Sequence, residues 1–356
     1  MDIMLSDTLQ ERLINSADKK LPFILFAEPN SNLVHLYIQQ SDTLFQPDQI
    51  EEDGFVMAPF DDKEQIWFLP FSKSEYVSET LDLEPLKTIP VQRKGTKEAQ
   101  QQHQELVSKG IEFIQKAKAE KIVLAREEKI ELETWNPVVV AHRLLALYPS
   151  AFRFMWYHPL EGWWCGATPE TLIETQGKRF FTMALAGTRA YYGEEPRWRT
   201  KERNEQQFVT DTILDEISSL CQTIRVSKTY TQPAGSVAHL RTDIKGNMLP
   251  TTTLNDMARA IHPTPAICGT PTEIAKQFIL KEEHFERKFY AGFLGIVEKK
   301  NKSRMYVNLR SMRVNDNFAS LFVGGGITYD SNPQEEWIET CNKTHTMLQV
   351  IQPLIK

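Results

Sequence analysis

SLFVGGGITYDSNPQEEWIETCNK, residues 320–343, leads from an apolar strand through three glycines into the last helix of the chain. Asn332 is a capping residue, Pro333 suits the first helical position and Glu335 completes a capping box, so the helix starts at about Pro333. Within it Glu336, Glu339 and Lys343 stand at i, i+3 and i+7, which puts them on one face. Trp337, Cys341, Leu348 and Ile351 mark the adjoining apolar face. Taken alone, such a charged face is usually solvated, and Glu339–Lys343 reads as an ordinary i, i+4 pair. Gly324, Gly325 and Gly326 change that reading. Between a strand and a helix they permit a tight turn and a close backbone approach to a ligand. They are not a Walker A loop, because no Gly-Lys-Ser/Thr follows; a bulge or plain turn is the bland alternative. Glycines, then acids, then a lysine suggest an anion bridged by a metal. Hard Mg²⁺ prefers carboxylate oxygens and keeps several waters, so two or three glutamates suffice.

The rest of the chain sets bounds on this site. Its 356 residues exceed one small core. A hydrophobic share of 41% and a charged share of 25% are those of a globular protein. The net charge of −6 leaves no basic surplus for nucleic acid. An anionic ligand must therefore be held by a few placed cations and backbone N–H groups. The N-terminus lacks the basic-then-apolar pattern of a signal peptide, and no apolar run suffices to span a bilayer, so the expectation is a cytoplasmic protein with no membrane association. Cys165, Cys221, Cys268 and Cys341 have no C-x-x-C spacing and read as free thiols.

Residues 121–132, KIVLAREEKIEL, read as a strand, preceded by a helix over 96–120 with Leu106, Phe113, Ile114 and Ala117 near helical spacing. PVVVAHRLLALYP (137–149) reads as a helix between two prolines. LPFILFAEP, EQIWFLPF, AFRFMWYH, the region of Trp163–Trp164, KRFFTMALAGT ending in a glycine turn, AGFLGIVEK and RMYVNLRSMRV read as strands. Residues 198–224 read as one long helix whose buried stripe is Phe208, Val209, Ile213, Ile217 and Leu220, with Glu205 at its edge. Strands and helices do not alternate regularly, which argues for a mixed α/β (α+β) chain and against a doubly wound sheet. HLRT (239–242) and HPTP (262–265) lack zinc-site spacing, and no G-x-S-x-G elbow is present.

Read together, KIVLAR (121–126), GATPETL (166–172), ALAGT (184–188), KERNEQ (201–206), HLRT, IHPTPA (261–266), ERKFYAGFLG (286–295) and VGGGIT through EEWIETCNK (323–343) resemble the chorismate-utilising enzymes. These are the isochorismate, salicylate, anthranilate and aminodeoxychorismate synthases. The motifs follow family order and spacing across residues 96–356, whereas residues 1–95 match loosely. The resemblance implies two large, mostly antiparallel β-sheets packed together with helices outside, with the strand-rich portion 1–95 and the chorismate-binding catalytic region 96–356 intertwined as one domain.

Among members of that family a Lys at the position of Lys121 goes with water as nucleophile, and Gln with ammonia. A nucleophilic Lys before the Gly-Thr marks aminodeoxychorismate synthases, and here that position is Ala186. The resemblance thus implies an isochorismate synthase, an isomerase that adds water at C2 of chorismate and expels the C4 hydroxyl, for menaquinone or siderophore biosynthesis. Two groups of shifted pKa must flank the ring. The resemblance makes Lys121 the base and Glu170 the acid. It makes Glu205 and Glu339 Mg²⁺ ligands, with Glu336 acting through water. Arg310, Lys343 and the Gly324 backbone are implied for the enolpyruvyl carboxylate, Gly187 and Thr188 for the neighbourhood of the C4 hydroxyl, and His239 for the ring carboxylate. Tyr290 resembles salicylate-forming members, whereas Ala266 and Ile267 resemble plain isochorismate synthases. Salicylate formation, amination with a glutamine amidotransferase and a non-catalytic chorismate binder are the alternatives. The expected partner is chorismate alone, with no nucleic acid and no obligatory amidotransferase subunit, in a monomer.

Overall fold

The computed structural model describes residues 5–50, 52–82, 86, 95–116, 118–191, 193–234, 237–299 and 302–356, with the side chains of residues 188, 190, 201, 234 and 237 outside that description. Two nine-stranded sheets form the framework, paired antiparallel throughout. In spatial order the first holds Gly269–Thr270, Lys121–Glu131, Phe318–Ile327, Ser311–Asn315, Gly162–Thr168, Phe152–His158, Phe23–Ala27, Leu33–Gln39 and Ser74–Thr80. The second runs Cys221–Val226, Val237–Met248, Arg179–Ala190, Thr171–Gln176, Lys302–Val307, Phe293–Val297, Gly54–Ala58 and Trp67–Pro70, with Tyr230–Ala234 alongside Val237–Met248. Strands from residues 1–95 therefore enter both sheets, and Phe23–Ala27 lies between two neighbours.

Side-chain alternation divides the core in two. On the strand Phe23–Ala27, Ile24 and Phe26 point between the sheets toward Phe55, Phe152, Phe154 and Tyr306. Phe23 and Leu25 point the other way, into a layer covered by three helices, Asp7–Asp18, Pro137–Leu147 and Pro333–Ile351. No helix among the described residues is long and apolar enough to cross a membrane. The four cysteines are free, two of them buried.

Several elements depart from expectation. Gly324–Gly326 form no turn: they continue the strand Phe318–Ile327, paired in register with Ala125, Leu124 and Val123. The helix expected over 198–224 spans Thr200–Ser218, and Cys221–Val226 is a strand on the sheet edge. Phe208 is an exposed residue of that helix, whereas Val209, Ile213 and Ile217 are buried. KRFFTMALAGT does not stop at its glycine, for the strand continues to Ala190 through a bulge between Ala186 and Thr188. The run RMYVNLRSMRV is two strands, Lys302–Val307 in one sheet and Ser311–Asn315 in the other. The helix before Lys121 spans Lys97–Gln115, and Ala117 lies outside the described residues. Asn332 caps the last helix by accepting from the N–H groups of Gln334 and Glu335.

These crossings between sheets position the site. The chain passes from the first sheet to the second at Pro169–Glu170 and returns at Asn308–Arg310. The two crossings are laced together: Val307 N–H donates to Glu170 O at 2.9 Å, and Ala167 N–H donates to Arg310 O at 3.1 Å. Pro169 has no N–H for a ladder bond, which suits a point where a strand leaves its sheet. Arg310 takes a left-handed backbone, φ 50°, at the return. The fold thus delivers one acid and one cation to the seam between its sheets.

Candidate active site

The glycine strand is the floor of the site. A Cβ on Gly326 would lie 2.7 Å from Lys121 Cε, and one on Gly325 would lie 2.9 Å from Glu336 Oε2 and 3.9 Å from Glu339 Oε1. A Cβ on Gly324 would lie 3.3 Å from the Tyr290 hydroxyl. At each glycine the missing Cβ leaves room that a side chain from another element takes up. Side chains of the chain itself come close to this backbone, within a strand and without the turn. A Gly326→Ala variant should keep its fold, because the obstructing atom belongs to a flexible chain, yet push Lys121 aside. We expect kcat to fall at least tenfold with Tm little changed, since a displacement of about 1 Å costs on the order of 10²-fold; steady-state kinetics beside thermal melts check it.

Lys121 opens its strand and pairs with Thr270. Burial pushes its ammonium pKa down, and Lys343 adds to that; Glu205, Glu170 and Glu339 pull it back up without prevailing. Glu170 moves the opposite way. Its burial outweighs the Lys121 charge and raises the carboxyl to about 7. Desolvation penalises the charged form of either group, so the amine gives up its proton more readily and the carboxyl holds its own more tightly. The same interactions place Glu205, Glu339 and Lys343 within electrostatic reach of Lys121, although these residues come from different elements.

On the last helix, Lys343 donates to Gly324 O at 2.8 Å and pairs with Glu339 at 2.6 Å. The i, i+4 pair therefore forms, but its lysine also grips the glycine strand. Glu336 accepts from Ser331 Oγ at 2.8 Å, and burial together with the Glu339 charge raises its pKa. Glu205 is half-buried on the helix Thr200–Ser218. Among the described residues no three acidic or imidazole side chains are already closed around one point as a metal cluster. Glu339 is turned to Lys343 and Glu336 to Ser331. The donor set is nonetheless all carboxylate, with two acids beside each other over a position that lacks a Cβ, and this chemistry suits a hard divalent ion.

Around this centre Arg310 donates to Thr346 Oγ1 at 3.1 Å. Tyr290 is buried, stacks on Phe322 at 5.3 Å and has its hydroxyl pKa pushed up to about 12 by burial. Gly187, at φ 70°, lies against the helix of Glu205; a Cβ there would lie 3.1 Å from Glu202 Cβ. Its carbonyl is 3.2 Å from His239 Nδ1, and burial lowers that imidazole's pKa. His239 pairs with Thr188 across the sheet, while the Thr188 side chain lies outside the described residues. Ala266 is half-buried beside buried Ile267.

Sequence reasoning missed one group beside these residues. Glu283 and Arg287 form a buried ion pair against the Lys121 strand. An acid and an arginine four residues apart within the charged run KEEHFERK (281–288) were the available signal.

A family model described as "Chorismate binding enzyme" matches residues 61–352. Isochorismate synthase DhbC of Bacillus subtilis is 32% identical over 197 residues, covering 52% of this chain and 50% of the relative. Isochorismate synthase EntC of Escherichia coli K12 is 30% identical over 264 residues, covering 69% of this chain and 66% of the relative. The aligned stretches thus span half to just under two thirds of these relatives. A crystal structure described as that of a "putative 2,3-dihydroxybenzoate-specific isochorismate synthase, DhbC from Bacillus anthracis" superposes with TM-score 0.78 at 26% identity, covering 97% of this chain and all of that one. The chain belongs to the chorismate binding enzyme family.

Proposed function

We propose that the protein is an isochorismate synthase. It adds water to C2 of chorismate and releases the C4 hydroxyl as water, with double-bond migration in the ring and no net change in composition. The observation that carries this reading is the opposed pair at the seam, Lys121 with its pKa pushed down and Glu170 with its pKa raised to about 7. Lys121 takes a proton from the attacking water. Glu170 gives one to the departing hydroxyl. Neither role requires an amine substrate, and we read the chain as acting without an amidotransferase subunit, as a cytoplasmic monomer forming one intertwined unit from residues 1–95 and 96–356.

Arg310, Lys343 and the Gly324 backbone are assigned to the enolpyruvyl carboxylate. Gly187, Thr188 and His239 are assigned to the other end of the ring, and Ala266 and Tyr290 to its walls. Glu205 and Glu339, with Glu336 through a water, would hold Mg²⁺, which would neutralise the ring carboxylate and fix the diene. Removing divalent ions with EDTA should abolish turnover, and added Mg²⁺ should restore it. Calorimetric titration of the stripped protein with Mg²⁺ and substrate checks the binding separately. The family relatives' names support the same activity.

Tyr290 favours a second reading, in which isochorismate goes on to salicylate and pyruvate, because its hydroxyl approaches Gly324 in the site. Ala266 and Ile267 favour stopping at isochorismate. Chromatography of the products from chorismate and Mg²⁺ decides between them: isochorismate with little pyruvate supports our assignment, and substantial enzymatic salicylate overturns it. Anthranilate or aminodeoxychorismate formed with ammonia would overturn water as the nucleophile.

A further inference from the structure

We propose that the Glu283–Arg287 pair is a positioning clamp that sets the spacing between the strand carrying Lys121 and the opposite wall formed by Ile267 and Tyr290. This inference rests on the proposed activity. Both side chains are almost wholly buried, at 2% and 3% exposure. Arg287 Nε donates to Glu283 Oε2 at 2.7 Å, and one terminal nitrogen donates to Glu283 Oε1 at 2.5 Å. That same nitrogen donates to Val123 O at 2.7 Å, while the other donates to Ile267 O at 3.1 Å. Glu283 Oε1 accepts from Ala125 N–H at 2.7 Å. One ion pair therefore touches the Lys121 strand twice and the Ala266–Ile267 loop once. Tyr290 joins the assembly through its own N–H, which donates to Arg287 O at 2.8 Å.

The register explains why charged groups stand here. The partner strand Gly269–Thr270 has two residues and reaches only Lys121 and Ile122. Val123 N–H finds Cys268 O at 2.8 Å, and beyond it that edge of the Lys121 strand has no strand beside it among the described residues. Buried backbone groups require partners. Arg287 supplies the donor for Val123 O and Glu283 the acceptor for Ala125 N–H, in place of a longer strand. A longer strand would satisfy the same groups, but it would occupy the space where the Ile267 carbonyl and the Tyr290 turn are gathered. The planar guanidinium spreads its donors over a fixed fork, so it reaches carbonyls on both sides of the gap and the Glu283 carboxylate at once, a span that the point-like ammonium of a lysine lacks. Lys121 lies two residues from Val123, on the same face of the strand. A shift at Val123 or Ile267 therefore alters the distance from the base to the wall holding the substrate.

The test uses Arg287→Lys and Glu283→Gln in the full chain, beside wild type, with chorismate and Mg²⁺ well below the melting temperature. Three quantities are read: kcat, KM for chorismate, and pyruvate released per chorismate consumed. Pyruvate arises when the C2 hydrogen of isochorismate passes to the enolpyruvyl methylene as the C3–O bond breaks and the ring becomes aromatic, a step that balances without an oxidant. We expect kcat to fall about tenfold or more, KM to rise, and the pyruvate ratio to rise at least threefold in folded protein. A brace that serves stability alone would lower Tm and the active fraction, leaving KM and the product ratio unchanged, and that result overturns the clamp. Should Arg287→Lys fail to fold, Glu283→Asp carries the same readouts, since it keeps both charges and withdraws the carboxylate by one methylene. Wild type that makes no isochorismate would refute the proposed activity itself, a distinct outcome.

Discussion

Replacing Lys121 with alanine is expected to lower kcat by about 10²–10⁴-fold, the usual worth of a positioned general base, while Mg²⁺ and chorismate still bind. The expectation follows from the way burial defeats three neighbouring carboxylates in setting the state of this lysine. An amine among Glu205, Glu170 and Glu339 would ordinarily be held protonated. Desolvation lowers its pKa nonetheless, and a neutral amine is what the attacking water needs. Lys343 is no substitute, being bonded to Gly324 O and Glu339. Lys121→Arg sharpens the test. It retains a positive charge but cannot give up its proton, so it should be as inactive as alanine. Wild-type kcat/KM should fall as pH drops through the lowered Lys121 pKa, and neither variant should show that limb. Full activity in Lys121→Arg would mean that the site needs only a cation there.

Glu170→Gln is expected to cost a similar factor, because an amide cannot deliver a proton to the leaving hydroxyl. It should also change stability, with a sign that follows from the raised carboxyl. The folded protein holds this proton up to about pH 7, whereas the ordinary carboxyl value is 4.5. Stability from that proton is therefore fully present below the unfolded value and is lost as pH rises through the folded one. Glutamine does not titrate. The variant should thus melt close to wild type at acid pH and gain on it progressively between about 4.5 and 7. Thermal melts over this window, run beside kinetics, should show an enzyme that loses activity as it gains relative stability. Melting curves with no pH-dependent difference would contradict burial as the cause of the shift.

Much of the architecture was legible where local pattern and tertiary role agree. KIVLAREEKIEL, PVVVAHRLLALYP and the Asn332–Pro333 helix start form the elements their sequences suggest. The failures have physical reasons. Three glycines suit a turn by propensity, but here their small size admits Lys121, Glu336 and Tyr290 beside a continuous strand. Phe208 fits the buried stripe by spacing, yet it falls on the outer side of a helix shorter than its apolar pattern. RMYVNLRSMRV reads as uninterrupted because nothing in its composition reveals a change of sheet at Arg310.

The site divides in the same way. Glu336, Glu339 and Lys343 share a helix, so their common face is a matter of spacing. Lys121 and Glu170 are 49 positions apart in the chain and meet only because two sheets are joined at a seam; no periodicity links them, and only the family resemblance implies the pair. The Glu283–Arg287 pair escaped because its purpose is set by a two-residue partner strand, visible only in the sheet register.

Running the reaction in ¹⁸O-labelled water tests the central claim most directly. The product of chorismate and Mg²⁺ should be isochorismate carrying one solvent oxygen, at its C2 hydroxyl, by mass spectrometry, with Lys121→Ala forming little of it. Isochorismate without solvent oxygen, or no isochorismate from the wild-type protein, would contradict the account.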